Sequence, residues 1–122
     1  MATFTKQKLS EDSSGIGFAL VDGVPLIAHT TPISSSIFDE VWLYVANKSF
    51  TNPGIIQLNM TTDENFISTF VQVPVLSGMF LLIPGLVLTG NGTEGSTVTV
   101  TDMTGLFEDA LSVYGYVNRI TP

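Results

Sequence analysis

The sequence predicts an all-β protein, a single antiparallel β-sandwich or a jelly-roll-like barrel. Strand-like segments follow one another at a spacing of about 8–12 residues, and turn-forming residues separate them. Threonine, which favours strands, is abundant, whereas helix signals are thin. A length of 122 residues suffices for one domain and is too short for two ordinary ones. We therefore expect one sandwich domain over residues 16–122, preceded by an extended N-terminal arm.

Residues 1–15 form that arm, which we expect to be flexible or ordered only through contact with a partner. The segment is polar and ends in the sequence EDSSG, so it offers little apolar surface to bury. Within it, Thr3, Phe4 and Thr5 would suit a strand that adds to the sheet edge of another subunit.

The first strand signals surround a turn dipeptide. Phe18–Val21 and Val24–Thr31 flank Asp22-Gly23, which predicts a β-hairpin. The clearest strand is Val41–Asn47, whose residues are apolar on both alternating faces. We expect this strand near the middle of a packed sheet, because only there are both faces covered.

The second half of the chain continues with strand signals at Ile55–Thr61, Phe66–Val73, Met79–Ile83, Leu86–Thr89, Thr97–Thr101 and Leu111–Ile120. Pro84-Gly85 is expected to form a turn between two of these strands. Gly115 interrupts a run of large side chains, which indicates a bulge or the close approach of another backbone. Thr104–Ala110 is the one candidate for a short helix.

The expected core lies between two sheets and comprises Val41, Leu43, Val45, Ile56, Leu58, Phe70, Leu82, Val113 and Val117. Val41–Asn47 and Leu111–Ile120 carry large apolar or aromatic side chains on both faces. A small sandwich buries only one face of each sheet. The other face is therefore predicted to cover a neighbouring subunit.

Composition excludes several classes of chemistry. Four Lys and Arg against eleven Asp and Glu leave a net charge of −7, so no basic surface for nucleic acid is expected. Cysteine is absent and His29 is the one histidine, so we expect no enzyme, no catalytic residues, no cofactor and no metal site. A calcium site built from loop carboxylates, for instance with Asp63, Glu64 or Asp102, stays open.

No membrane or export segment is expected. The longest apolar stretch, Val71–Leu88, is divided by prolines and glycines into pieces shorter than the roughly 20 residues that span a bilayer. The first ten residues lack the apolar region of a secretory signal. The sequence thus predicts synthesis in a cytoplasm and no membrane partner.

Four segments together resemble a known group of proteins: Val41–Ser49 (VWLYVANKS), Val71–Pro74 (VQVP), Leu81–Leu86 (LLIPGL) and Val113–Ile120 (VYGYVNRI). In this order they resemble small all-β virion proteins of tailed bacteriophages. The resemblance covers about residues 37–120. It implies a non-enzymatic structural protein of the virion, and some proteins of this group are capsid decoration or cement proteins. We expect that role here, with the chain bound to the major capsid protein or other virion proteins. There are two alternatives. One is a neck, tail or head-fibre component, and the other is a carbohydrate-binding β-sandwich module that uses Trp42 or the exposed loop Gly90–Gly95.

We also expect a homo-oligomer, with a trimer favoured by the resemblance and by the threefold sites of icosahedral shells. The terminal strand carries more apolar side chains than the core of one small sandwich can bury. We therefore expect the contacts between subunits to include this strand and the apolar turn Pro84–Leu86. The predicted interface residues are Phe4, Pro84, Leu86, Tyr114 and Tyr116. Host-cell cytoplasm is the expected place of synthesis, and the capsid surface the final location.

Overall fold

A computed structural model describes residues 2–61, 66–105 and 110–122. Within these ranges the chain forms nine strands and no helix. The strands are β1 (Thr3–Lys8), β2 (Phe18–Ala19), β3 (Leu26–Thr30), β4 (Phe38–Asn47), β5 (Gly54–Thr61), β6 (Phe66–Val73), β7 (Phe80–Thr89), β8 (Thr97–Asp102) and β9 (Leu111–Thr121). The central residues of the helix candidate Thr104–Ala110 lie outside the described ranges.

The strands form two sheets that pack face to face. Sheet A has the order β1-β9-β4-β7, with β2 pairing beside β9, and sheet B has the order β3-β8-β5-β6. Four antiparallel pairs are nested in the chain: β1·β9, β3·β8, β4·β7 and β5·β6. From one pair to the next, the first strand lies later in the sequence and the second strand lies earlier. This wrapped antiparallel ribbon is the jelly-roll arrangement. The predicted all-β sandwich is confirmed.

The core lies between the two sheets, and most of it was predicted. Seven of the nine expected residues are buried: Val41, Leu43, Val45, Ile56, Leu58, Val113 and Val117. Leu82 is half-buried and packs against this cluster. Phe70 was predicted wrongly, since its side chain is 61% exposed. Its partner in the sheet is Gln57, which alternates with the buried Ile56 and Leu58, so Phe70 points outward.

Strand β4 occupies the central position that its two apolar faces predicted. It pairs with β9 along its whole length and with β7 on its other side. Its inward residues are buried, and its outward residues are half-buried apart from the exposed Phe38 at the start of the strand.

Asp22-Gly23 forms a turn but not a hairpin. The amide of Val24 donates to the carbonyl of Val21 at 3.0 Å. The segments on either side then diverge, because β2 pairs with β9 in sheet A and β3 pairs with β8 in sheet B. The turn therefore carries the chain from one sheet to the other, which local sequence signals do not distinguish from a hairpin.

The expected turn at Pro84-Gly85 is instead a bulge within β7. Trp42 pairs with Pro84 and Val41 with Leu86, which leaves Gly85 as the extra residue. Proline is tolerated there because β7 is an edge strand. None of the described strands lies on its open side, so a missing amide hydrogen on that side removes no hydrogen bond from the sheet.

The N-terminal segment is more regular than expected. Residues 3–8 form β1 and pair with β9 of the same chain, from Thr3 with Thr121 to Lys8 with Tyr116. Every residue of β1 is exposed, so the segment is held by backbone pairing. Leu9, only 1% exposed, then anchors the segment in the core. An additional contact of residues 1–15 with a partner stays a prediction.

Candidate functional site

The outward side of sheet A carries an aromatic surface. Alternation along β4 and β9 turns the valines and leucines to the core and the aromatic residues outward. We call this surface the aromatic face, and it comprises Lys6, Glu40, Trp42, Tyr44, Tyr114, Tyr116 and Asn118. Its β4 and β9 members are half-buried, and Lys6 is exposed.

The rings of the aromatic face stack in cross-strand pairs. Trp42 lies opposite Tyr116, with ring centroids 6.4 Å apart and planes inclined by 11°. Tyr44 lies opposite Tyr114, with centroids 5.5 Å apart and an angle of 15°. Each such pair contributes about 0.5–1.5 kcal/mol beyond the area that it buries. The rings therefore form an ordered surface.

Hydrogen bonds fix one end of the face. Glu40 Oε1 accepts from Trp42 Nε1 at 2.7 Å and from Asn118 Nδ2 at 3.0 Å. These two donors hold the pKa of Glu40 below its usual value. The Lys6 ammonium lies 4.7 Å from the centre of the Tyr116 ring, which is a cation–π contact.

The other end is fixed by Tyr114, whose hydroxyl donates to the carbonyl of Gly78 at 2.7 Å. Burial, and to a smaller extent Tyr44, raises the pKa of Tyr114, so the hydroxyl remains a donor. This bond joins the aromatic face to the loop between β6 and β7.

Two glycines allow the aromatic residues to pack so closely. A Cβ on Gly115 would clash with the carbonyl oxygen of Trp42. A Cβ on Gly85, which has a φ of 79°, would lie 3.0 Å from Cζ2 of Trp42. The backbone approach predicted for Gly115 is therefore observed.

Four of the five predicted interface residues share this side of the molecule. Tyr114 and Tyr116 belong to the aromatic face, and Phe4, opposite Ile120 and 69% exposed, extends it at the end of β1. Pro84 is exposed and pairs with Trp42 at the edge. The fifth, Leu86, pairs with the buried Val41, which places it on the other side of β7, where it is still 38% exposed. Their contact with a partner stays a prediction.

A second surface was missed by the sequence reasoning. Phe50, Leu76 and Met79 lie in the loops that follow β4 and precede β7, and they are 81%, 57% and 74% exposed. Leu76 adopts a φ of 55°, which is rare for a residue with a side chain. The hydrogen bond from the Tyr114 hydroxyl to the Gly78 carbonyl connects the loop that carries Leu76 to the aromatic face.

A buried charged cluster links the two sheets. His29 of sheet B lies 2.7 Å, Nε2 to Oδ2, from Asp39 of sheet A, and Arg119 donates to both carboxylate oxygens at 2.8 and 3.0 Å. His29 Nδ1 accepts from the backbone amide of Ser10 at 3.0 Å. The Ser10 hydroxyl instead accepts from the amide of Thr30. The imidazole therefore orders backbone and carries no bond to a nucleophile.

The calcium alternative gains no support from the described part of the chain. Asp63 and Glu64 lie outside it. Asp102 Oδ1 accepts from the amide and hydroxyl of Thr104, at 2.9 and 2.6 Å. In the described ranges no three His, Asp or Glu side chains are grouped as metal ligands. The same residues include no helix of the length and hydropathy required to cross a membrane.

Fold and surface together define a jelly-roll protein whose candidate site is the aromatic face of sheet A. No protein-family model matches the chain, and no curated protein matches it in sequence. In structure it is similar to a chain of the T13 IBDV viral particle, with a TM-score of 0.55 and 12% identity. The match covers 98% of this chain and 31% of that one, so this chain spans about a third of its neighbour's length. This likeness to a chain of a viral particle concerns the fold.

Proposed function

We propose that this chain is a non-enzymatic structural protein of a virion, specifically a decoration or cement protein that binds the outer surface of the capsid. The aromatic face carries the proposal. Its stacked and hydrogen-bonded rings are ordered before any partner binds, so little side-chain freedom is lost on association. The jelly-roll likeness to a chain of a viral particle supports a virion role.

The face has the composition of a binding surface. Tyr and Trp are enriched where proteins bind one another, because each combines a large apolar ring with a polar group that tolerates water. Glu40, Asn118 and Lys6 supply a polar rim around the rings. The net charge of −7 is compatible with a position outside the shell, away from packaged DNA.

The proposal includes a homo-oligomer, with a trimer favoured, that assembles where copies meet on the shell. Phe4, Pro84, Tyr114 and Tyr116 lie on one side of the molecule, as a contact between subunits or with the shell requires. The partners are then the major capsid protein and further copies of this chain. Synthesis occurs in the host cytoplasm.

A carbohydrate-binding module is less well supported by the geometry. Sugars stack on open aromatic faces, but Lys6 lies over Tyr116, and Gly85 packs against Trp42. Trp42 Nε1 is already bonded to Glu40. The rings of Trp42 and Tyr116 are thus engaged within the protein.

Stoichiometry in purified virions tests the proposal directly. Quantitative mass spectrometry should find this chain at a copy number close to that of the major shell protein. A few copies per particle would indicate a neck, tail or head-fibre component. Absence from the particle would contradict a virion role altogether.

A pair of variants tests the binding face. Phe4→Ser removes an exposed apolar side chain beside the aromatic face, and Ile27→Ser removes one that is 46% exposed on β3 of sheet B. We expect Phe4→Ser to weaken attachment to undecorated particles and Ile27→Ser to leave it unchanged. Equal attachment of both variants and the wild type would assign the contact to another surface.

A further inference from the structure

The four sheet edges differ in how they are protected from pairing with another chain. Natural sheets protect edges with lysines, prolines, bulges or short strands. Strand β1 carries Lys6 and Lys8. Strand β7 contains Pro84 and two register shifts. Strand β3 has five residues and a register shift, and its Thr30 amide is bonded to Ser10.

Strand β6 lacks all of these protections. Its eight residues, FISTFVQV, include no charged residue and no proline. Its register with β5 is uninterrupted from Gly54 and Val73 to Thr61 and Phe66. In the described ranges it pairs with β5 alone, and Phe66, Ile67 and Phe70 are 64%, 59% and 61% exposed.

We propose that β6 pairs antiparallel with β6 of a second copy of this chain, joining the two B sheets into one continuous sheet. An open edge presents alternating amides and carbonyls to water, and another extended strand can replace that water with hydrogen bonds along the edge. A twofold contact of this kind closes after two copies, because each chain contributes its one unprotected edge.

The sequence of β6 is complementary to itself in the antiparallel sense. Centring the pairing on Ser68 places Phe66 of each chain opposite Phe70 of the other, on the same outward face. Aromatic pairs directly opposite one another stabilise adjacent strands. The strand is also uncharged, so the chain's net charge of −7 places no like charges on the pairing segment itself.

This inference does not depend on the virion role, because sheet B and its β6 edge are separate from the aromatic face of sheet A. It is tested on the purified chain, without particles. Sedimentation of the wild type over a wide concentration range should show a reversible monomer–dimer equilibrium. Amide hydrogen exchange within residues 66–73 should slow as the dimer forms.

Ser68→Lys is the decisive variant. Ser68 is exposed, and it lies on the proposed twofold axis, so two ammonium groups would oppose one another in the dimer. Gln72→Lys makes a similar change on the same strand and face, near the strand end and away from the axis. At equal concentration we expect Ser68→Lys to sediment as a monomer and Gln72→Lys to remain dimeric.

Circular dichroism of both variants establishes that they are folded. A wild type that stays monomeric at every concentration would overturn the inference and leave the edge for a strand of a different protein. A dimer that persists in Ser68→Lys would also overturn it, since the contact would then lie elsewhere.

Discussion

Asp39 is the central residue of the buried cluster that links the two sheets. It is fully buried, and its carboxylate binds His29 and Arg119 from two different strands. Burying a carboxylate alone would be costly, and here both oxygens are bonded. Since His29 also orders the backbone of Ser10, one carboxylate connects both sheets and the N-terminal segment.

Replacing Asp39 with Asn should destabilise the fold by about 3–5 kcal/mol, because it removes one partner of a buried ion pair and leaves Arg119 unpaired. Denaturant unfolding measures the loss. Glu11→Gln removes an exposed carboxylate and should change stability by less than about 0.5 kcal/mol. Equal stability of the two variants would show that the cluster contributes nothing to folding.

The same carboxylate predicts an acid-sensitive fold. Burial raises the pKa of Asp39, but hydrogen bonds from His29 and Arg119 and the guanidinium charge outweigh it and hold that pKa below 3.8. A group whose pKa is depressed by folding stabilises the native state above its unfolded pKa. This contribution should therefore be present at neutral pH and be lost as the pH falls below 3.8. Unfolding free energies should show this decline in the wild type and a smaller one in Asp39→Asn.

Gly115 should tolerate no side chain. Gly115→Ala would place its Cβ against the carbonyl oxygen of Trp42 on the neighbouring strand. We expect a loss of about 1–3 kcal/mol from overpacking, together with disturbed stacking of Tyr114 and Tyr116. Thermal unfolding and near-ultraviolet circular dichroism would detect both effects. Gly78→Ala, where no atom lies within 4 Å of the added Cβ, is the control and should be neutral.

Among the elements, β1 differs most from what its sequence indicates. Its side chains are all exposed, so no apolar alternation marks it as a strand. The pairing uses backbone groups, and Leu9 provides the buried anchor at its end. A strand held by backbone pairing alone needs no alternation of apolar and polar residues. Its sequence therefore does not distinguish it from an irregular arm.

Leu9 tests whether this anchor holds β1 in place. Leu9→Ala should cost about 2–5 kcal/mol, because the side chain is 1% exposed and its loss leaves a cavity. Phe4→Ala, on the same segment but 69% exposed, should have little effect on stability. Faster amide exchange in β1 is expected only in Leu9→Ala. Unchanged stability of Leu9→Ala would mean that the segment is only loosely attached.

Strands with their own side-chain pattern were predictable, and connections between them were less so. Val41–Asn47, Ile55–Thr61 and Thr97–Thr101 alternate clearly and form β4, β5 and β8. The hairpin predicted at Asp22-Gly23 is a turn between the two sheets, and the turn predicted at Pro84-Gly85 is a bulge on an edge strand. Both predictions were wrong because these structures use the same residue types as a hairpin turn. Tertiary position decides between these outcomes.

At the scale of the whole molecule, the surface was predicted in part. The two-sided apolar pattern of β4 and β9 indicated that one sheet face needs a partner, and Tyr114 and Tyr116 lie on that face. Leu86 lies opposite Val41 and not opposite an outward residue because the bulge at Gly85 shifts the register of β7, which sequence alternation alone does not show. The loop surface of Phe50 and Leu76 has no periodic pattern from which to predict it.

The two proposed contacts use separate sheets, which predicts that they are energetically independent. Phe4 lies on β1 of sheet A, whereas Ser68 lies on β6 of sheet B, and the two residues share no bonding partner. Effects of substitutions at distant sites add within about 0.3–0.5 kcal/mol. In a double-mutant cycle, Phe4→Ser should weaken particle attachment, and Ser68→Lys should abolish dimerisation in solution. In the double variant, attachment should be as weak as in Phe4→Ser alone, and dimerisation should be lost as in Ser68→Lys alone. If Ser68→Lys also weakened particle attachment by well more than that limit, the two contacts would be coupled. That result would indicate that the dimer is the form that binds the shell.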